Sequence, residues 1–121
     1  MKAFDLEERF INFSVEVIRF TESLPKSNTG MYFSDQIMRA AASSTLNYSE
    51  SKSAESRKDF IHKIKISLKE LREAYSGIRI VMELSKNPHE KMEWILIEGN
   101  ELISILVTSI KTARKNDATS K

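Results

Sequence analysis

Residues 6–24 read LEERFINFSVEVIRFTESL, and six apolar residues in this stretch, Leu6, Phe10, Phe13, Val17, Phe20 and Leu24, recur at spacings of 4, 3, 4, 3 and 4. An α-helix turns once every 3.6 residues, so this rhythm puts all six on one stripe. A strand, whose side chains alternate, would divide them between two faces. A stripe of this kind is the seam along which helices of a bundle pack. Two further stretches repeat it. Phe60, Ile64, Ser67, Leu71, Ala74, Ile78 and Met82 form one, and Met92, Ile95, Gly99, Leu102, Leu106, Ile110 and Ala113 the other.

Three breaks divide the chain: Pro25–Gly30 (PKSNTG), the Ser-rich Ser49–Ser56 (SESKSAES), and Asn87-Pro88. They predict four helices at about 5–24, 30–51, 56–86 and 88–115, with the tail 116–121 frayed. Start signals accompany three of them. Asp5 with Glu8, and Ser56 with Asp59, have capping-box spacing; Asn87 reads as a cap with Pro88 as first helical residue. Short connections make successive helices antiparallel. The expected fold is all-α, an antiparallel up-down-up-down four-helix bundle forming a single domain over residues 1–121. One long coiled coil is the competing reading, and the turn clusters count against it.

The bulk composition narrows the function classes. With 40% hydrophobic and 30% charged residues, the chain has the balance of a soluble globular protein. The absence of Cys excludes a thiolate–metal site, a Cys nucleophile and a disulfide framework, and suits a reducing cytoplasm. The richest apolar run, Leu102–Ile110, is too short to span a bilayer, and the opening MKAFDLEERF lacks the apolar core of a signal peptide. A cytoplasmic protein without membrane contact is expected. His62 and His89 are the only histidines, and neither completes the Glu-x-x-His pair of di-iron bundles, since Asp59 and Lys86 stand at that offset. No Gly-rich phosphate loop is present, and Ser43 has no His one helical turn away. The expectation is a non-enzyme with no metal and no cofactor.

Four surfaces carry more information than the seams. Segment 52–72 holds seven basic and three acidic residues, whereas 73–110 holds three and six. The positive charge falls on one stripe of the third helix: Lys58, His62, Lys65, Lys69, Arg72 and Arg79, covering about 30 Å at 1.5 Å per residue. Clustered positive charge is the footprint of a nucleic-acid surface. The plain alternative is a solvated face on which Lys69 and Glu73 pair. Few aromatics interleave, so contacts to the phosphate backbone would dominate over base stacking. On the second helix, Gln36, Arg39, Ser43, Asn47 and Glu50 form a polar line, either a solvated face or a hydrogen-bonded network against another helix or subunit. The same helix carries Ala40, Ala41, Ala42, Ser43 and Ser44, small residues that permit close packing. Finally, Ile11, Val15 and Ile18, then Ile66 and Ile80 near Gly77, then Trp94, Ile97 and Ile105, lie off the seams. A monomeric bundle needs one apolar stripe per helix, so these residues point to subunit contacts, with an oversized monomer core as the alternative.

Two segments carry a family resemblance: QIMRAAASS at 36–44 followed by Asn47-Tyr48-Ser49-Glu50, and SRKDFIHKIKISLKE at 56–70. With the helix lengths and breaks, they make the chain resemble the bacterial four-helix bundle proteins encoded in intervening sequences of large-subunit ribosomal RNA genes. That family also carries a ribosomal-protein label, which reflects gene location. The resemblance covers essentially the whole chain. It implies an up-down bundle that assembles into a ring, often a homopentamer. Its relatives include accessory proteins of diversity-generating retroelements, basic barrels that bind nucleic acid and a reverse transcriptase. One position departs: the family reads Asn-Ile-Ala-Glu-Gly at the end of helix two, and Ser51 stands here in place of the Gly, which weakens the case for a left-handed helix stop. The combined expectation is a homo-oligomer that binds RNA or DNA, structured RNA foremost, through the basic stripe and tail. A protein-interaction scaffold is the alternative.

Overall fold

The computed structural model describes the backbone of residues 3–85 and 90–119 and the side chains of residues 6–85 and 90–116. It contains four helices, α1 (Ala3–Glu22), α2 (Asn28–Ser51), α3 (Arg57–Leu84) and α4 (Met92–Thr119), and no strand among the described residues. α1 packs on α2, α2 on α3, and α3 on α4, while α1 and α4 close the ring along the most sparsely packed seam. Cross-helix bonds fix the directions. Glu7 meets Ser49, Ser14 meets Thr45, and Thr21 meets Ser34, so rising numbers on α1 meet falling numbers on α2. The molecule is an all-α, antiparallel up-down four-helix bundle.

The three seams read from the sequence form the core. Phe10, Phe13, Val17, Phe20, Ile64, Leu71, Ile78, Ile95, Leu102 and Leu106 are all essentially without solvent exposure. Burial of each such side chain is worth about 1.5–3 kcal/mol. Leu6, Leu24, Phe60 and Met82 are half-buried against this cluster. α2 contributes differently. Its buried residues include Ala40, Ala41, Ser44 and Thr45, and its one large aromatic there, Tyr48, stacks on Phe10 with ring centroids 4.7 Å apart.

Small residues on α2 let neighbouring backbones come close enough for hydroxyls to bridge them. Ser44 Oγ donates to the Ser67 carbonyl at 2.8 Å, and Ser67 Oγ donates to the Ser44 carbonyl at 2.8 Å. Toward α1, Thr45 Oγ1 donates to the Phe10 carbonyl at 3.1 Å and Ser14 Oγ to the Ala41 carbonyl at 3.1 Å. No buried side-chain polar atom of the described residues lacks a partner, as expected where an unmet donor would cost about 1–3 kcal/mol. Gly77 belongs to the same close approach: a Cβ there would lie 2.9 Å from Ile37 Cγ1. It serves α2–α3 packing and does not mark an outward face.

Several helix ends differ from expectation. α1 is helical from Ala3, so Asp5 lies inside the helix and is not its cap. α2 begins at Asn28, within the predicted turn, because Ser27 Oγ accepts the Gly30 N–H at 3.0 Å. Gly30 is required there, since a Cβ would sit 1.9 Å from the Pro25 carbonyl oxygen. Ser56 caps α3 by accepting the Asp59 N–H at 3.0 Å. The reciprocal arm of the box shifts by one residue: the Asp59 carboxylate accepts from the Glu55 N–H at 3.4 Å. α2 stops without a left-handed residue. Lys52 is right-handed, and the N–H groups of Lys52, Ser53 and Ala54 close tighter turns onto Ser49, Glu50 and Ser51. The proposed cap at Asn87 and Pro88 lies outside the described residues, as does His89, and α4 begins at Met92. Its helix continues through residues 116–119, where fraying was expected.

Candidate nucleic-acid interface

The α3 stripe is where the sequence placed it. Lys58, His62, Lys65, Lys69, Arg72 and Arg79 are all exposed, and none forms an ion pair with another described residue. The expected Lys69–Glu73 pair is therefore not made. Successive turns of α3 bury Ile64, Leu68 and Leu71 toward the core, and this rotation turns the intervening cations outward on the α4 side.

The tertiary structure divides the stripe. Lys65, Lys69 and Arg72 line a shallow groove between α3 and α4, with Leu68 and Ile110 as its apolar floor and Arg114 of α4 on the opposite wall. Lys58 and His62 lie toward the start of α3, and Arg79 lies two turns beyond; none of these three lines the groove. Arg114 is the residue that reading α3 alone could not supply. Its signal was the charge of residues 111–121, four basic against one acidic, but only the antiparallel return of α4 brings it opposite Lys65. No aromatic side chain lines the groove. The one acid in it is Glu73. Glu70, half-buried on the same helix, has its carboxyl pushed above the usual range, first by burial and then by the charge of Glu73. Four cations against one carboxylate can hold phosphate oxygens, and no aromatic ring is present in the groove to stack a base.

The polar line of α2 is not a network within the bundle. Arg39 Nε donates to Asp35 of its own helix at 2.8 Å, and Asn47 Nδ2 donates to the Ser43 carbonyl at 2.9 Å. Gln36 is exposed. Only Glu50 reaches another helix, with Lys63 Nζ 3.7 Å away. The buried polar contacts between α2 and its neighbours come instead from Ser14, Ser44, Thr45 and Ser67. A Ser or Thr on a helix looks alike in sequence whether it faces water or a neighbouring backbone.

The residues off the seams also separate. Ile11 and Ile18 lie one turn after Glu7 and Ser14, which bond to α2, so they flank the α1–α2 groove together with Val15. On α2, Met38, Ala42 and Leu46 continue the stripe that starts at Ser34, which bonds to α1. Ile11, Val15, Met38 and Leu46 are exposed, Leu46 at 63%. With Ile18 they make one apolar face that the sequence showed only in half. Trp94 and Ile97 are exposed on α4, near the seam with α1 that Arg9 closes through a two-point bond to Glu98 at 2.6 and 3.0 Å. Ile105 leans into the core and is half-buried. Ile66 is half-buried on the α2 side of α3, and Ile80 is exposed there.

Among the described residues no helix is long and apolar enough to cross a membrane. No functionally curated protein matches the chain. A solved structure from Bacteroides thetaiotaomicron, described as a protein with unknown function from the S23 ribosomal protein family, is similar to it with a TM-score of 0.79. The two share 27% identity over 88% of this chain and 98% of that one. The model of the 23S rRNA-intervening sequence protein family matches residues 2–108. A match of that extent, on a bundle of the same shape, makes this chain a member of the 23S rRNA-intervening sequence protein family.

Proposed function

We propose that this protein is a non-enzymatic, oligomeric bundle that binds nucleic acid, structured RNA foremost, through the groove between α3 and α4. The observation that carries the reading is the convergence of Lys65, Lys69, Arg72 and Arg114 on one aromatic-free groove. Cations from two helices on one surface suit a phosphate backbone. Reversing three of them, K65E/K69E/R72E, tests it, because all three side chains are exposed and the fold does not depend on them. Fluorescence anisotropy with an RNA hairpin at low salt should show a loss of at least roughly 100-fold with an unchanged helical spectrum. A wild-type chain that fails to bind, or a triple variant that binds equally well, would sink the reading.

Assembly belongs to the same proposal. The apolar α1–α2 face and the Trp94–Ile97 region of α4 are different patches, and pairing unlike patches head to tail generates a ring where the rotation closes. The family resemblance points to a pentamer. Light scattering should return a multiple of 13.9 kDa, and Leu46→Glu should reduce it to the monomer. A wild-type monomer at micromolar concentration would remove the claim. The same α1–α2 face favours a second reading, a protein-interaction scaffold with a merely solvated basic stripe. A pull-down partner that survives nuclease treatment and is lost with Leu46→Glu would favour that alternative.

A further inference from the structure

The groove between α3 and α4 holds more than cations. Glu73 and Ser76 line it beside Lys65, Lys69 and Arg72, and both are exposed. They stand three residues apart on α3, so they share one side of the helix. Four residues separate Lys69 from Glu73, and Arg72 from Ser76, a rise of about 6 Å in each case. Lys69 and Arg72 therefore each have a polar neighbour one turn further on. A carboxylate has no use in a site that binds phosphate alone, because it repels the anion, which offers it no proton to accept.

Glu73 is also held from behind. Burial foremost, then the Glu73 charge, pushes the Glu70 carboxyl above its usual range, and a side-chain hydrogen bond joins the two. Of the pair, Glu70 takes up a proton first and donates it, so Glu73 stays the ionised acceptor. Its two oxygens leave acceptor capacity for a ligand. Lys69 does not consume that capacity, since the two form no ion pair. The Ser76 hydroxyl both donates and accepts. The group that suits a carboxylate and a hydroxyl beside bound phosphates is a sugar hydroxyl. A ribose 2′-hydroxyl donates and accepts, and double-helical RNA displays it along a wide, shallow minor groove. DNA lacks that group, so its phosphates meet Glu73 with repulsion alone.

We propose that Glu73 and Ser76 make this groove select RNA over DNA by bonding the ribose 2′-hydroxyl, an inference that rests on the nucleic-acid reading of the same groove. Three hairpins of one sequence test it in the full chain, by anisotropy at one salt concentration: RNA, DNA, and 2′-fluoro RNA, which keeps the A-form helix and loses the hydroxyl. The wild type should bind RNA about tenfold more tightly than either of the others, the size of one hydrogen bond to a charged group. In Glu73→Ala that preference should fall to near unity, with DNA affinity rising as the repulsion is removed. Ser76→Ala should lower RNA affinity a few-fold and leave DNA affinity unchanged. Both positions are exposed and alanine favours the helix, so the fold should persist. Equal binding of RNA and DNA by the wild type, equal binding of RNA and 2′-fluoro RNA, or a preference unaltered in Glu73→Ala would overturn the inference, while the loss of binding in K65E/K69E/R72E would still uphold the groove. No binding of any hairpin by the wild type would overturn both.

Discussion

The reciprocal Ser44–Ser67 pair offers the sharpest test of how α2 and α3 are held together. Each hydroxyl donates to the other's carbonyl at 2.8 Å, and both residues are buried. Ser67→Ala removes one donor but orphans nothing, because Ser44 still donates to the carbonyl of residue 67. One buried neutral bond is worth about 1 kcal/mol, and alanine returns roughly 0.5 kcal/mol in helix propensity. The expected net loss is about 0.5 kcal/mol, near the limit of measurement. Ser67→Val differs only in size and polarity, yet it should cost far more. It loses the same bond, and its extra methyl must enter the seam where the two backbones approach, with an overpacking penalty of about 1–3 kcal/mol. The sum is about 2–4 kcal/mol, or roughly 10 °C in melting temperature for a domain of this size. Urea and thermal unfolding followed by circular dichroism measure both. If Ser67→Val matches or exceeds the wild type, the seam is not tightly packed and the hydroxyl pair does not set the spacing of the helices.

Three other outcomes follow from named contacts. Gly30→Ala would place a Cβ 1.9 Å from the Pro25 carbonyl oxygen, so the start of α2 must shift and the urea midpoint should fall by the equivalent of about 2 kcal/mol or more. Glu70 has a raised carboxyl pKa in the folded state, from burial and then Glu73, so its contribution is present below the unfolded value and is lost as pH rises through the folded one. Glu70→Gln should therefore be more stable than the wild type at neutral pH, with the gap closing toward pH of about 4; a gap that widens on acidification would contradict this. If the groove takes four phosphates, the logarithm of RNA affinity should fall with the logarithm of salt at a slope of about −3 to −4, and Arg72→Ala should flatten that slope by nearly one. Arg79→Ala, outside the groove, should leave it unchanged.

The nature of the fold was legible because helical period is a local property. Phe10, Phe13, Val17 and Phe20 declare a buried stripe from their spacing alone, whatever they pack against, and the same holds for Ile64, Leu71 and Ile78. The alternation of such seams with turn residues then leaves an antiparallel bundle as the economical arrangement. The outward basic stripe was legible for the same reason, since a helix that buries Ile64, Leu68 and Leu71 must expose Lys65, Lys69 and Arg72. Helix ends were read less well, because a cap is decided by which oxygen reaches which N–H. Ser27 took the cap of α2 inside a stretch that looked like a turn, and Asp5 proved to be interior to α1.

What only the tertiary structure decided is which stripes become neighbours. Arg114 lies far along the chain from Arg72, and nothing local to either says that they share a groove. Met38 and Leu46 extend the Ile11–Val15 face only because hydrogen bonds from Ser14 and Thr45 fix the register of α1 against α2. Those hydroxyls were themselves ambiguous, since a small polar side chain satisfies its bonding equally well with water or with a neighbouring backbone. The sequence determined the character of each face of each helix; the packing determined which faces meet, and so which surfaces the bundle presents to a partner.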